Sequence, residues 1–365
     1  MQVPILHIST ARSWRGGEQQ IAYLCLELQK LGIEQHIACI ANAPLHQWAL
    51  ENKFPVLALA KASSVDLRFS AGLSRYHKLN QIGLWHAHDA HAHGFAVYAQ
   101  QFFSASCPLL VSRRVDFPVA RSRMSAFKYN HPSVSRYLCV SEAIADILKK
   151  SLKDPNRIFT VHSAIEPSRF EGVKKGKLRA EFPQFAQQKW IGNVAALTGH
   201  KDLFTFMDTA KILLTERKDL HFFLAGTGEL ETELKAYQQK LGLEKQLTFL
   251  GFREDVPEIL ADLDCFLFSS EMEGLGTSVL DAFASGTPVV ATNAGGIPEM
   301  VKDQKSGILC KVKDATALAQ GVLQVLNDST LASKLTKRAT EILQDFTPSK
   351  MAAKTLKHYQ EVSVS

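Results

Sequence analysis

The stretch that decides the fold runs from Cys265 to Thr292: Cys265-Phe266-Leu267-Phe268, then Ser269-Ser270-Glu271-Met272-Glu273-Gly274-Leu275-Gly276, then Thr277-Ser278-Val279-Leu280-Asp281-Ala282-Phe283-Ala284-Ser285, and finally Gly286-Thr287-Pro288-Val289-Val290-Ala291-Thr292. The opening apolar run predicts a buried parallel strand that ends at two serines. A glycine-spaced turn carrying Glu273 follows. Val279, Leu280, Phe283 and Ala284 then recur at the spacing of one helical face. Gly286-Thr287-Pro288 stops that helix and Val289-Val290-Ala291 opens another strand. The unit is strand, loop, helix, strand, with its loop at the carboxyl edge of a parallel sheet, where open α/β sheets bind ligands. Backbone N–H groups from Gly274 to Ser278 stand at the helix start, facing any anion bound there.

This stretch resembles the nucleotide-sugar site of the retaining GT-B glycosyltransferases of family 4. Their pattern is Glu, seven residues, Glu, then a small residue and Gly-x-Pro-Val-Val. Glu273 matches the first acid and Gly286 to Val290 match the ending, while Asp281 stands where the second Glu is usual. The resemblance implies an α/β protein of GT-B type, with two Rossmann-like doubly wound parallel-sheet domains facing a cleft. In it Glu273 holds sugar hydroxyls and Asp281 the ribose hydroxyls. The alternative is a first-turn acid favoured by the helix dipole and a solvated helix residue.

The rest of the chain fits that frame. Its 365 residues argue for two domains, and a hydrophobic fraction of 46% is ordinary for large buried cores. A net charge of +6 favours anionic ligands or a membrane face over dedicated nucleic-acid binding. The six scattered cysteines include no CxxC and read as buried thiols of a reducing compartment. With no visible signal peptide and no apolar run of membrane-spanning length, the expected location is cytoplasmic, with peripheral contact at the anionic inner face of the membrane.

β-α alternation runs from the N-terminus. Strand Ile5 to Ser9 leads to Gly16-Gly17-Glu18 and a helix from about Gln19 to Leu31. Paired glycines at a helix start let backbone approach a phosphate. Family 4 enzymes place a similar Gly-Gly loop against the donor diphosphate, though a plain tight turn is the simpler reading. Strands at Gln35–Ile40 and Val56–Leu59 flank a helix from Ala43 to Asn52. His86, His88, His91 and His93 crowd eight residues. Imidazole suits zinc, but a strand sends His86 and His88 one way while the following helix scatters His91 and His93. A strand end on the acceptor side, with His86 and His88 toward substrate, is the preferred reading.

After strand Pro108 to Val111 the family carries a His-containing segment near the reacting sugar carbon. This chain has Arg113, Arg114 and Asp116 instead. Arg113 and Asp116 are the catalytic candidates there, and Arg114 an acceptor-side one. Solvated surface arginines are the alternative. From Arg113 to Lys128, Arg113, Arg114, Arg121, Arg123 and Lys128 stand against Asp116, interleaved with Phe117, Met124 and Phe127, as suits an anionic headgroup. Domains are expected at 1–167 and 168–346, with the charged stretch Glu171 to Glu181 as linker and a helix at 347–365 packing back on the first.

In the second domain, the strand Trp190 to Leu197 precedes Lys201. The family pairs such a Lys with an Arg, both on the donor diphosphate; Lys201 matches, and the Arg position is Ala196. Arg15, Arg113 or Arg114 are candidates to supply the missing charge. Gly251-Phe252-Arg253 matches the segment whose backbone receives the base. Gly226-Thr227-Gly228 lacks a further glycine at dinucleotide spacing. Asp262-Leu263-Asp264 spells a metal motif of another glycosyltransferase fold, but it abuts a buried strand.

By resemblance, then, Gly16, Gly17, Lys201, Gly251, Phe252, Arg253, Glu273, Gly274, Leu275, Gly276, Thr277, Ser278 and Asp281 hold the donor. Lys201 and Glu273 also act in catalysis. The implied function is retaining transfer of a hexose from a nucleoside diphosphate sugar, UDP before GDP-mannose, to a cell-envelope glycan or glycolipid such as lipopolysaccharide core. No metal or other cofactor is required and no nucleic-acid partner is expected. The alternatives are a degenerate nucleotide-sugar-binding subunit and a nucleotide-sugar epimerase on the same fold.

Overall fold

The structure is a computed structural model that describes residues 3–63, 66–116, 118–119 and 122–363. The chain divides into two compact units, residues 1–164 with 348–365, and residues 165–347. The first is built on β1 (Ile5–Ile8), α1 (Gly16–Lys30), β2 (Gln35–Ile40), α2 (Pro44–Glu51), β3 (Val56–Leu59), α3 (Leu67–Leu79), β4 (Leu84–Ala87), α4 (Ala90–Phe103), β5 (Leu109–Arg113), α5 (Arg123–Tyr129), β6 (Val134–Cys139), α6 (Glu142–Lys149) and β7 (Ile158–Thr160). All its strands are parallel, in the order β3-β2-β1-β4-β5-β6-β7. Strand order reverses between β1 and β4, so the loops that follow these two strands diverge and leave a crevice at their carboxyl ends.

The second unit repeats the plan. It contains α7 (Lys177–Glu181), β8 (Lys189–Val194), α8 (Leu203–Glu216), β9 (Leu220–Ala225), α9 (Glu231–Leu241), β10 (Leu247–Gly251), α10 (Val256–Asp262), β11 (Cys265–Phe268), α11 (Thr277–Ala284), β12 (Val289–Thr292), α12 (Ile297–Met300), β13 (Ile308–Cys310), α13 (Ala315–Asn327) and α14 (Ser329–Leu343). Its parallel sheet runs β10-β9-β8-β11-β12-β13, reversing between β8 and β11. Central strands buried on both faces explain the unbroken apolar runs at Cys265–Phe268 and Leu220–Ala225. Leu203, Phe206, Met207 and Ala210 of α8 join Leu318, Ala319 and Val322 of α13 in one core with β9 and β11.

The last helix, α15 (Pro348–Ser363), belongs to the first unit. It buries Met351, Ala352, Tyr359 and Val362 against Tyr23, Leu24 and Leu28 of α1. The boundary lies between residues 164 and 165, three residues before the expected one, because the Ile165 N–H donates to the Phe346 carbonyl at 3.0 Å. The charged stretch 171–181 is not a bare linker. Asp262 accepts the N–H groups of Gly176, Leu178 and Arg179 (2.5, 2.8 and 3.2 Å), and so starts α7. Asp264 meets Arg179 and Lys189, each at 3.0 Å. The Asp-x-Asp pair is thus part of the scaffold.

Among the described residues, no helix is long and apolar enough to cross a membrane. Phe117 and Arg121 of the expected basic segment lie outside the described residues. Of the rest, Met124 and Phe127 are exposed on α5, whereas Arg113 is buried.

Candidate functional site

The second unit gathers its candidate residues at the β8–β11 reversal. The loop after β11 is fixed from several sides. Ser269 Oγ donates to the Asp202 carbonyl at 3.0 Å, the Glu271 N–H to the His200 carbonyl at 2.9 Å, and Thr292 Oγ1 to the Ser270 carbonyl at 2.5 Å. Gly295, at φ +49°, packs so closely that a Cβ there would stand 1.9 Å from the Glu273 carbonyl oxygen. Only glycine serves at that contact. The loop after β9 is seated in the same way: a Cβ on Gly226 would meet the Ala195 carbonyl oxygen at 1.9 Å. The glycines of Gly226-Thr227-Gly228 are thus required by packing alone.

On this frame Lys201 and Glu273 meet directly as a largely buried ion pair. Ser270 Oγ donates to the same Glu273 oxygen at 3.0 Å, and Lys201 Nζ lies 5.4 Å from the centre of the Phe268 ring. Gly276, at φ +85°, turns the chain into α11. The first N–H groups of α11, at Thr277 and Ser278, have no partner within the helix, which is the arrangement that receives an oxyanion. A cation, an acid and a row of N–H donors therefore stand together.

Asp281 is not a solvated helix residue. Its Oδ1 is buried without a hydrogen-bond partner, and so is Ser285 Oγ one turn on. Burial pushes the Asp281 carboxyl up to about 7, with the charge of Arg169 opposing. A buried acceptor with nothing to accept calls for a ligand hydroxyl. Phe252 is 72% exposed after Gly251 (φ +66°), so its ring is free to stack. Arg253 is occupied by side-chain pairs with Glu181 and Asp255, leaving only its backbone for a ligand. Position 196 carries an exposed alanine and no cation.

The first unit carries a cavity of about 460 Å³, lined in part by Arg12, Arg15, Gly17, Glu18, His88, Ser112, Arg113 and Arg114. Helix α1 begins at Gly16, three residues earlier than expected, so both glycines form its first turn. Glu18 accepts the Arg15 N–H at 3.0 Å, which makes it a helix cap. Arg113 is buried and donates to the Tyr129 hydroxyl at 2.7 Å, and Arg114 is half-buried with its Nε shut off from water. Asp116 and His86 do not line the cavity. Asp116 stands beyond the end of β5. His86 is held behind the wall, with Nε2 2.8 Å from Ser112 Oγ and Nδ1 bonded to the Tyr359 hydroxyl.

The histidine cluster that forms is His7, His86 and His88, not the four of the sequence run. His7 is brought beside His86 by the register of β1 on β4. His91 is exposed, and His93 is buried separately against Tyr129 and Tyr137. One ligand nitrogen of each lies within 4.8 Å of the others. His7 and His88 join in a hydrogen-bond chain that starts at Gln35, while His86 bonds Ser112 and Tyr359. Burial keeps His7 down at about 4 and His88 well below the usual imidazole range, so both are neutral at pH 7. Gln35 donates its amide to the Cys25 carbonyl at 3.0 Å and offers Oε1 to His7 Nε2 at 3.1 Å. His7 therefore carries its proton on Nε2, and His7 Nδ1 accepts from His88 Nε2 at 3.0 Å. His88 Nδ1 is left as a buried, unpartnered lone pair on a residue of the cavity wall.

Two doubly wound parallel sheets, one with a cation, an acid and a helix start at its reversal point, define an α/β protein of two Rossmann-like units. The family described as glycosyl transferases group 1 matches residues 174–342, and glycosyltransferase family 4 matches residues 14–169. The chain belongs to the group 1 glycosyltransferases, of the family 4 type. It is 24% identical over 303 residues to an N-acetyl-alpha-D-glucosaminyl L-malate synthase of Bacillus anthracis, covering 81% of this chain and 79% of that protein. With the lipopolysaccharide core biosynthesis glycosyltransferase LpsE of Rhizobium meliloti it shares 26% identity over 233 residues, 64% of each chain. The solved structure of Anabaena HepE in complex with UDP superposes with a TM-score of 0.85 at 19% identity, over 98% of this chain and all of that one. The fold is GT-B.

Proposed function

We propose that the protein transfers a hexose-type sugar from UDP-sugar to a cell-envelope glycan or glycolipid, with retention and without a metal. The observation that carries the reading is the cluster in the second unit: the Lys201–Glu273 pair beside the α11 start, with the unpartnered Asp281 carboxylate on the same helix. The donor's diphosphate takes Lys201 and the N–H groups of Thr277 and Ser278. Negative charge grows on that leaving group as the sugar bond breaks, and donors fixed in advance stabilise it most. These groups supply the positive field that a divalent ion would otherwise provide.

Once Lys201 turns to phosphate, Glu273 is released to hold sugar hydroxyls. Asp281 takes the ribose hydroxyls and Phe252 stacks on the base. In this front-face picture the leaving phosphate receives the acceptor's proton, so no protein nucleophile is needed. The acceptor is taken by the first unit, where His88 Nδ1 receives a hydroxyl proton donor. UDP is favoured over GDP by family resemblance and by the UDP complex of HepE. Calorimetry with UDP, GDP, ADP and their sugar conjugates, with and without EDTA, tests the reading. Tight, EDTA-insensitive binding of UDP is expected. Silence across the panel would overturn the reading, and EDTA sensitivity would end the metal-free mechanism.

A further inference from the structure

The cavity of the first unit is more cationic than a neutral sugar hydroxyl requires. Arg12, Arg15, Arg113 and Arg114 line it against two carboxylates, Glu18 and Asp89. Both acids are committed to backbone. Asp89 receives the N–H groups of Thr10, His91 and Ala92 at 2.5, 2.9 and 2.9 Å, and Glu18 that of Arg15. Arg113 is directed to the Tyr129 hydroxyl. Arg114 differs from all of these. Its Nε is buried with no hydrogen-bond partner, and among the described residues no carboxylate closes an ion pair with it. Its side chain runs past Gly17, 3.9 Å from where a Cβ would stand.

Burial draws Arg114 down to about 10, with Glu18 opposing, so it stays charged at neutral pH. A partly desolvated cation whose neighbouring acid, Glu18, is already engaged with backbone is costly, and a ligand anion offsets that cost. The planar guanidinium fork fits two oxygens of one carboxylate or phosphate.

We propose that this cavity is an oxyanion subsite in which Arg114, flanked by Arg12 and Arg15, seats a phosphate or carboxylate group carried by the acceptor. The proposal rests on the reading of the protein as a glycosyltransferase whose acceptor binds the first unit. With His88 Nδ1 receiving a hydroxyl on the same wall, the acceptor class is a molecule that bears both a hydroxyl and an anionic group. A phosphate monoester in solution and one at a lipid headgroup present the same oxygens.

The test is calorimetry on the full-length protein with UDP saturating, so that the second unit's diphosphate site is filled. Inorganic phosphate and glycerol 3-phosphate are the soluble probes, and glucose is the neutral control. Flotation with phosphatidic acid–phosphatidylcholine vesicles, against phosphatidylcholine alone, is the lipid arm. Binding of either phosphate form is expected, weakened about tenfold or more by Arg114→Gln and partly kept by Arg114→Lys. Because Arg114 is unpaired, its loss should leave the melting temperature unchanged or raised, which separates lost binding from lost folding. Lys201→Ala should remove UDP binding while the phosphate response persists. Binding confined to the vesicle arm places the anion on a lipid.

Phosphate binding indifferent to Arg114→Gln, or absent in both arms, overturns the proposal. If UDP binds and no phosphate form does, the subsite falls and the transferase reading stands. If Arg114-dependent phosphate binding occurs without any nucleotide binding, the reverse holds.

Discussion

Replacing Asp281 by asparagine should stabilise the protein and weaken its hold on UDP, with both effects growing as pH rises. The side chain keeps its shape and loses only its charge. In the folded protein burial raises this carboxyl from an ordinary 3.8 to about 7. An acid raised in this way holds a proton in the folded state that the unfolded chain has already lost. Wild-type stability therefore falls as pH rises from about 4 to about 7, and levels off above that. At about 1.4 kcal/mol per pH unit, ionised Asp281 costs about 4 kcal/mol at most. For a unit of this length, that corresponds to a rise in Tm of roughly 10 °C for Asp281→Asn at pH 8 and almost none at pH 4.

Ligand hydroxyls donating to the carboxylate favour its charged form, so bound UDP should draw the proton off. Thermal melts of wild type and variant from pH 4 to 8, with and without UDP, measure both effects. The difference between the two proteins cancels the titration of UDP itself and of groups such as His221. UDP affinity should drop about tenfold in the variant at pH 8. Parallel stability profiles would refute the buried, unpaired carboxylate. A stabilised variant with undiminished UDP affinity would show that the strain is real but that Asp281 does not touch the donor.

Other substitutions probe the same architecture. Lys201→Ala should cut turnover at least about tenfold and, by leaving Glu273 buried and unpaired, cost about 3 kcal/mol in denaturant unfolding; unchanged activity would sink the diphosphate assignment. Glu273→Gln should impair transfer more than UDP binding, and an equal loss of UDP affinity would contradict a sugar-facing role. Gly295→Ala should destabilise by about 2–4 kcal/mol, since the new Cβ collides with the Glu273 carbonyl; a wild-type urea midpoint would show that this loop relaxes freely. Tyr359→Phe should cost about 1–3 kcal/mol by leaving His86 Nδ1 buried and unpaired, read from urea unfolding; an unchanged profile would show that this bond contributes nothing.

Much of the frame was legible because parallel sheets impose local signatures. Strand Gln35–Ile40 and the unit from Cys265 to Thr292 fall where predicted, since strands covered on both faces are buried along their length, and the short apolar run Val56–Leu59 forms the partly exposed edge strand. What escaped the sequence was whatever depends on register between distant segments. His7 gives no hint alone, yet the pairing of β1 with β4 sets it beside His86, and the tautomer of His88 is decided by Gln35 on a third strand. Knowing that a parallel sheet aligns Ile5–Ile8 with Leu84–Ala87 would have exposed that trio.

The same limit governs charge. Arg113 and Arg114 at a strand end look like surface residues in sequence, because solvation and burial leave identical composition; only the fold turns them inward. Asp281 makes the point most sharply. Helical spacing puts it four residues before Ser285, but nothing in that spacing reveals that Asp281 Oδ1 and Ser285 Oγ are buried without hydrogen-bond partners. A buried group without a partner lowers stability unless something else meets it. Arg114 in the first unit and Asp281 in the second are two such groups, one calling for an anion and the other for hydroxyls. The chemistry left incomplete within the protein is thus that of an anionic acceptor and a ribose-bearing donor, and each half can be tested without the other.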